Sequence, residues 1–183
     1  MDVQYGADDE NNVNAALVLF LEAIANLLKP RSVEWSMKRV VLKATFNSAS
    51  YTVGTDGALW TRLGRSLRAL LEVKKVQRNQ SVSTDTKITA QEAAEMVGWL
   101  KQFPGDAEML LNGNRVLISQ DANQIFLSFA QVNRQYYDYI KNGKVAGDPF
   151  LSIRKRGPWV VDSNGHMKHL AIILASLILL LEN

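Results

Sequence analysis

Cysteine is absent from the 183 residues of this chain. Disulfide bonds, thiolate nucleophiles and zinc sites of the cysteine type are therefore excluded. Only two histidines, His166 and His169, are present, and no carboxylate stands at helical spacing beside them. Glu92 and Glu95 are interpreted as solvated surface acids. A phosphate-binding glycine loop, a dinucleotide fingerprint and a nucleophile elbow are also missing. These absences predict a protein that is not an enzyme and that binds neither a cofactor nor a metal ion.

Very long hydrophobic runs are missing too. The run Leu170–Leu181 has twelve residues, all apolar except Ser176. As a helix it would be about 18 Å long, whereas a bilayer core requires about 20 apolar residues. The first ten residues are acidic where a secretory signal is basic. We therefore expect no membrane partner, no secretory signal and a cytoplasmic or virion location.

What the chain does have is charge that is sorted by position. Residues 1–28 contain five acids and no Lys or Arg, whereas residues 29–78 contain eleven bases and three acids. Residues 79–183 contain ten of each sign. The first block predicts a flexible acidic arm over residues 1–11, ahead of a single helical domain over residues 12–183. The second block predicts an anionic partner.

Apolar residues recur mostly at helical spacing. Residues 13–28 and 169–181 are apolar on nearly every side, which predicts a helix near each end of the chain, the second one from about Asn164 to the end. Further helices are predicted from about Ser32 to 44, over 56–77, from the capping box at Thr89 to Pro104, and over 122–142. Strand is the rival interpretation near Val33, because the apolar residues there also alternate.

The expected fold class is therefore mainly α: a single-domain helical bundle of five or six helices. One short β-hairpin near 109–118 is allowed, because Asn112-Gly113 stands between two apolar runs. A short helix that ends at Gly113 is the alternative for this segment.

The predicted helix over 56–77 has a basic face opposite its leucine stripe. That face carries four cations: Arg62, Arg65, Arg68 and Lys75. Arginine suits a phosphate backbone because its planar guanidinium matches the phosphate oxygens. These residues are predicted to bind nucleic acid. The alternative is a solvated helix face that pairs with acids, including those of the acidic arm.

A second basic patch lies nearer the end of the chain. Arg154, Lys155 and Arg156 are consecutive, and Trp159 follows them closely. The three cations are predicted to contact phosphates, and the indole ring is a candidate for stacking on a base.

These features predict a non-enzymatic structural protein that binds nucleic acid, single-stranded RNA above all, through the basic helix face. The two apolar terminal helices predict association with copies of the same chain. In general make-up the chain is similar to small helical coat or nucleocapsid proteins. The alternative is a helical protein–protein interaction module with no nucleic-acid role.

Overall fold

A computed structural model describes residues 8–29, 32–104, 111–145 and 147–182. The helices are α1 (Asp8–Leu28), α2 (Val82–Gln102), α3 (Arg134–Asn142) and α4 (Asn164–Glu182). The strands are β1 (Val33–Ser36), β2 (Val41–Thr45), β3 (Ser50–Gly54), β4 (Gly57–Thr61), β5 (Leu67–Lys74), β6 (Asn114–Asp121), β7 (Gln124–Gln131) and β8 (Ser152–Val160). The prediction of a mainly α bundle is wrong, because these described segments form a mixed α/β fold with four helices and eight strands.

Six of the strands form one sheet in the order β1-β4-β5-β6-β7-β8. Strands β5 and β6 are parallel, and the other neighbouring pairs in this sheet are antiparallel. The chain between β5 and β6 contains α2, which provides the crossover that a parallel pair requires. Strands β2 and β3 form a separate antiparallel hairpin that packs against α2.

Helices cover both faces of the six-stranded sheet. On one face α1 and α4 pack side by side, and the Trp159 indole of β8 donates to His169 of α4. On the other face α2 contacts Glu72 of β5 through Gln91. Successive strand residues point to opposite faces, so Leu71 and Val73 face α1 and α4, away from α2. The core therefore has two halves, with the sheet between them.

Burial on both faces explains why the central strands resemble helices in sequence. Residues 67–73 of β5 are nearly all buried, so the apolar run lacks the two-residue alternation of a half-exposed strand. Residues 56–77, predicted as one helix, form β4, a turn and β5. Residues 122–142 form β7 and α3, and the segment from Ser32 to 44 forms β1 and most of β2.

The predicted terminal helices are confirmed, and α1 extends back to Asp8. Residues 8–11 of the predicted acidic arm thus belong to α1, and residues 1–7 lie outside the described residues. Helix α2 begins at Val82, because the Ser81 hydroxyl accepts a hydrogen bond from the Thr84 N–H at 3.1 Å and caps it. The predicted capping box therefore lies inside the helix.

The allowed β-hairpin near 109–118 is not formed as predicted. Residues 109 and 110 lie outside the described residues, and Leu111–Gly113 form a 3-10 turn that leads into β6. Strand β6 pairs instead with β7 through a turn at residues 122–123.

The contact between α2 and the hairpin can be tested at Gly98, where an added Cβ would lie 2.9 Å from the Leu42 Cβ. We expect Gly98→Val to lower the free energy of unfolding by about 1–3 kcal/mol, because the buried Leu42 cannot move away. Gly165→Val is the matched control, since a Cβ at Gly165 has open space around it. Urea unfolding measures both, and equal stabilities would contradict this packing.

Candidate functional site

The highest density of ionisable groups lies between α2 and the sheet. Four carboxyl groups and three cations meet there, and each carboxyl side chain is at most 3% exposed. We call this group the buried charge cluster. Its members are Glu72, Lys74, Arg78, Glu92, Glu95, Asp121 and Lys155.

Arg78 is the centre of one half of the buried charge cluster. Its Nη2 donates to Glu92 Oε1 of α2 at 2.7 Å and to Ser119 Oγ of β6 at 3.1 Å. Its Nε donates to the Asp121 carboxylate, also on β6. The guanidinium lies 4.1 Å from the centroid of the Phe126 ring on β7. One side chain therefore joins α2 to two neighbouring strands.

The charge on Arg78 determines the protonation of Glu92. Burial alone would raise the pKa of Glu92, but the hydrogen bonds and charge of Arg78 outweigh burial and lower it. Lys155 of β8 adds to this effect, with its Nζ 3.3 Å from Glu92 Oε2. At Asp121 burial prevails over Arg78, and the pKa of this carboxyl is raised.

Glu72 and Glu95 form the other half of the buried charge cluster. The Gln91 amide donates to Glu72 Oε1 at 2.6 Å and to Glu95 Oε1 at 2.9 Å. Burial, followed by the nearby Glu72 charge, raises the pKa of Glu95 to about 10. Burial raises the pKa of Glu72 to about 7, although Lys74 opposes that rise. Glu95 therefore keeps its proton at neutral pH, close to the Glu72 carboxyl group.

This proton makes the buried charge cluster neutral, because four carboxyl groups face three cations. The cluster can hold a proton and fix α2 on the sheet. Cavities of about 400, 480 and 540 Å³ lie along the described surface, and no member of the cluster lines any of them. Among the described residues, no group of three or more His, Asp or Glu side chains can hold a metal ion.

The first predicted set of nucleic-acid contacts does not share a helix face. Arg62 and Arg65 lie in the turn between β4 and β5, Arg68 lies within β5, and Lys75 follows its end. The eight residues of β5 extend over roughly 25 Å and separate the turn from Lys75. The Arg62 side chain is half-exposed, with its Nη1 3.9 Å from the Glu34 carboxylate. The prediction that these four cations share one face of a helix is therefore wrong.

The second predicted set lies on β8, an edge strand of the sheet. Arg154 and Arg156 are exposed and point to the same side, because they are two residues apart. Lys155 points to the opposite side, where it contacts Glu92. The Trp159 ring is buried, and its Nε1 donates to His169 Nδ1 at 3.2 Å. Only the two arginines of this set are fully presented to solvent.

The sequence interpretation missed the buried charge cluster. It treated Glu92 and Glu95 as surface acids, although their separation of three residues does place them near each other on α2. The missing information was that the strands opposite them carry Glu72, Asp121 and Lys155. Spacing along the chain does not show which residues of other strands are neighbours.

Large apolar side chains are exposed on the outer sides of α1 and α4. Their exposed fractions lie between 48% and 84%. We call this area the outer terminal-helix surface, and its residues are Leu19, Leu27, Ile172, Leu179 and Leu180. By length and composition alone, Asn11–Leu28 of α1 and the whole of α4 are long and apolar enough to cross a membrane. Of the residues in these two stretches, 22% and 28% are buried inside the protein.

Comparison with known proteins identifies no relative of this chain. No protein-family model, no curated protein and no solved structure matches it.

The proton on Glu95 makes stability depend on pH. The folded-state pKa of about 10 exceeds the ordinary value of 4.5. The contribution of Glu95 to the free energy of unfolding is therefore complete below pH 4.5 and is lost progressively as the pH rises towards 10. Glu72 adds to the loss only up to about pH 7. Between about pH 7 and 9 we expect the free energy of unfolding to fall by up to about 1.4 kcal/mol per pH unit.

Urea unfolding at several pH values measures this slope. Glu95→Gln should remove the slope above pH 7, because an amide does not titrate. Glu22→Gln is the matched control at an exposed position and should keep the wild-type slope. A wild-type stability that stays constant or rises over this range would contradict the assignment of the proton.

Proposed function

We propose that this protein is a non-enzymatic structural protein that associates with copies of itself. The observation that carries this proposal is the outer terminal-helix surface. Its five large apolar side chains lie on two helices that pack side by side over the same face of the sheet. Single exposed leucines are ordinary, but five large exposed apolar side chains on two neighbouring helices are more typical of a partner interface.

The size of the surface supports a protein partner. Helices of 21 and 19 residues are about 30 Å long, and packed helices lie about 10 Å apart. Their joint outer side covers roughly 600 Å², which approaches the roughly 800 Å² that each partner buries in a standard interface. A symmetric dimer can use the same patch on both copies, so one such surface is sufficient.

The charge of the two helices favours a second copy over a lipid surface. Within their bounds, Lys168 is the only Lys or Arg residue, and neither helix contains Trp. Helices that lie on membranes are typically rich in Lys and Arg on their polar side. Cores of homodimer interfaces are instead apolar and poor in charge. Two copies of this surface would meet those conditions.

Charged substitutions on the outer terminal-helix surface test self-association. We expect the wild type to be a dimer or larger oligomer and Ile172→Glu/Leu179→Glu to be a monomer, because both side chains would be buried between copies. Sedimentation velocity measures the masses over a range of protein concentrations. Val82→Glu is the control, since Val82 is exposed at the start of α2 on the other face. A wild type that stays monomeric at high concentration would refute the proposal.

Nucleic-acid binding is a second proposed function, and Arg154 and Arg156 support it. The two arginines are exposed on the same side of an edge strand. Their Cα atoms are roughly 7 Å apart along the strand. That distance is close to the spacing of successive phosphates in an extended single strand. Contacts of this kind hold the backbone without reading sequence.

Charge reversal on β8 tests this second function. We expect Arg154→Glu/Arg156→Glu to weaken binding of a random single-stranded RNA at least tenfold at low salt. The affinity of the wild type should fall steeply as salt rises, because phosphate contacts release counterions. Filter binding measures both effects. Arg134→Glu/Lys141→Glu on α3 makes the same change in charge at exposed positions and should have a smaller effect.

A further inference from the structure

A cavity of about 400 Å³ opens at one end of the sheet. Three parts of the chain meet there: the connection between β1 and β2, the end of β4 with the turn that follows, and the end of α2. Its volume lies within the range of small-molecule sites, which is about 300–1,000 Å³. We call it the cationic-aromatic pocket. The residues that matter for its chemistry are Lys38, Arg39, Trp60, Arg65, Gln102 and Phe103.

Two aromatic rings form part of the wall of the cationic-aromatic pocket. Trp60 and Phe103 are half-buried, their ring centroids are 6.4 Å apart, and the ring planes are inclined by 81°. In such an edge-to-face pair, each ring keeps a face that the other does not cover. Trp60 is the most exposed of the four tryptophans, because Trp35, Trp99 and Trp159 are buried.

The position of Phe103 is fixed before any ligand binds. Its N–H donates to the Trp99 carbonyl at 2.9 Å, and its own carbonyl accepts from Arg115 Nη2 at 3.0 Å. Arg115 is fully buried and lies over the Trp99 ring, 4.4 Å from its centroid. A wall that is held in this way loses little freedom when a flat group packs on it.

Positive charge surrounds the same cavity. Lys38, Arg39 and Arg65 all line it and are exposed, and none of its described lining residues is acidic. Arg39 is paired with Asp56 at 3.3 Å but remains 76% exposed. Lys38 and Arg65 form no ion pair with any acid in the described part of the chain. The cavity thus combines three cations with two aromatic rings.

Gln102 adds a directed donor to the cationic-aromatic pocket. Its Oε1 accepts a hydrogen bond from the Lys43 N–H at 2.8 Å, which fixes the orientation of the amide. The amide nitrogen then remains to donate to a ligand in the cavity. An amide beside aromatic walls is suited to the polar edge of a nucleobase.

We propose that the cationic-aromatic pocket binds a nucleotide. The base stacks against Trp60 and Phe103, and the phosphate group binds Lys38, Arg39 and Arg65. A lipid headgroup or inorganic phosphate would use the cations but not the rings. The nucleotide can be free in solution or belong to a single strand, since both present the same base and phosphate. The proposal goes beyond self-association, and in its strand form it rests on the second proposed function.

Calorimetric titration of the full chain with uridine monophosphate tests this pocket, with inorganic phosphate and an eight-residue single-stranded RNA as separate probes. We expect saturable binding of the mononucleotide or of the RNA, at least tenfold tighter than binding of inorganic phosphate. Lys38→Glu/Arg65→Glu should weaken that binding at least tenfold. Arg134→Glu/Lys141→Glu is the control with the same change in charge and should leave it unchanged. Circular dichroism confirms that each variant is folded.

The role of the rings has a separate readout. In ¹⁵N NMR spectra, the indole resonance that disappears in Trp60→Leu should be the tryptophan signal that shifts most on ligand addition. Trp60→Leu should also weaken binding at least tenfold. Binding of the mononucleotide alone identifies a free nucleotide as the ligand, whereas binding of the RNA alone identifies a strand.

Three outcomes would overturn the proposal. Inorganic phosphate that binds as tightly as either nucleotide probe would identify a plain anion site. RNA binding that depends on Arg154 and Arg156, but not on Trp60 or Lys38, would support the second proposed function and would show that this pocket does not bind the RNA. An absence of binding for both nucleotide probes would overturn the pocket, without affecting self-association.

Discussion

The position of α2 depends on the hydrogen bonds of the Arg78 guanidinium. Arg78 follows β5, and its partners lie on α2 and β6, the two elements that come next in the chain. Apolar contacts alone would allow α2 to rotate or slide on the sheet, because the hydrophobic effect has no direction. Hydrogen bonds to fixed carboxylates allow only one position. Since α2 is the crossover of the parallel pair, this one side chain helps to set the register of β5 and β6. The cationic-aromatic pocket depends on the same contact, because Gln102 and Phe103 in its wall lie at the end of α2.

The two faces of the sheet differ in how they are stabilised. The face under α1 and α4 is packed mainly by apolar side chains, whereas the face under α2 contains the buried charge cluster. The apolar face has few donors or acceptors to satisfy, among them the Trp159 indole that donates to His169. On the face under α2, the carboxyl groups of Glu72, Glu92 and Asp121 form ion pairs with cations of the same cluster. The proposed surfaces follow this division, with self-association over the aliphatic half and nucleotide binding beside the polar half.

Sequence periodicity predicted the terminal helices well and the middle of the chain poorly. Residues 13–28 and 164–182 are long, largely apolar segments without strand-like alternation. Because strands are seldom that long, the length of these segments correctly predicted helices. In β5, by contrast, Leu67, Leu70 and Leu71 fit a helical stripe, and burial on both faces removed the signal that would identify a strand. The predicted basic helix face was wrong for the same reason, because it existed only if 56–77 was a helix. Lys38, Trp60 and Phe103 are distant in sequence, and only the fold brings them to one cavity.

The pairing of α1 with α4 has a consequence for synthesis of the protein. The two helices contact each other, and the Ser32 hydroxyl just before β1 donates to the Glu182 carbonyl at 2.9 Å. The ribosome makes α1 before α4, so the apolar sides of α1 wait for their partner until the eight described strands between the two helices have been made. Strand β5 likewise waits for β6, about forty residues later. Nascent chains would therefore present a bare apolar helix to chaperones, or to α4 of a neighbouring finished copy, until their own α4 has emerged.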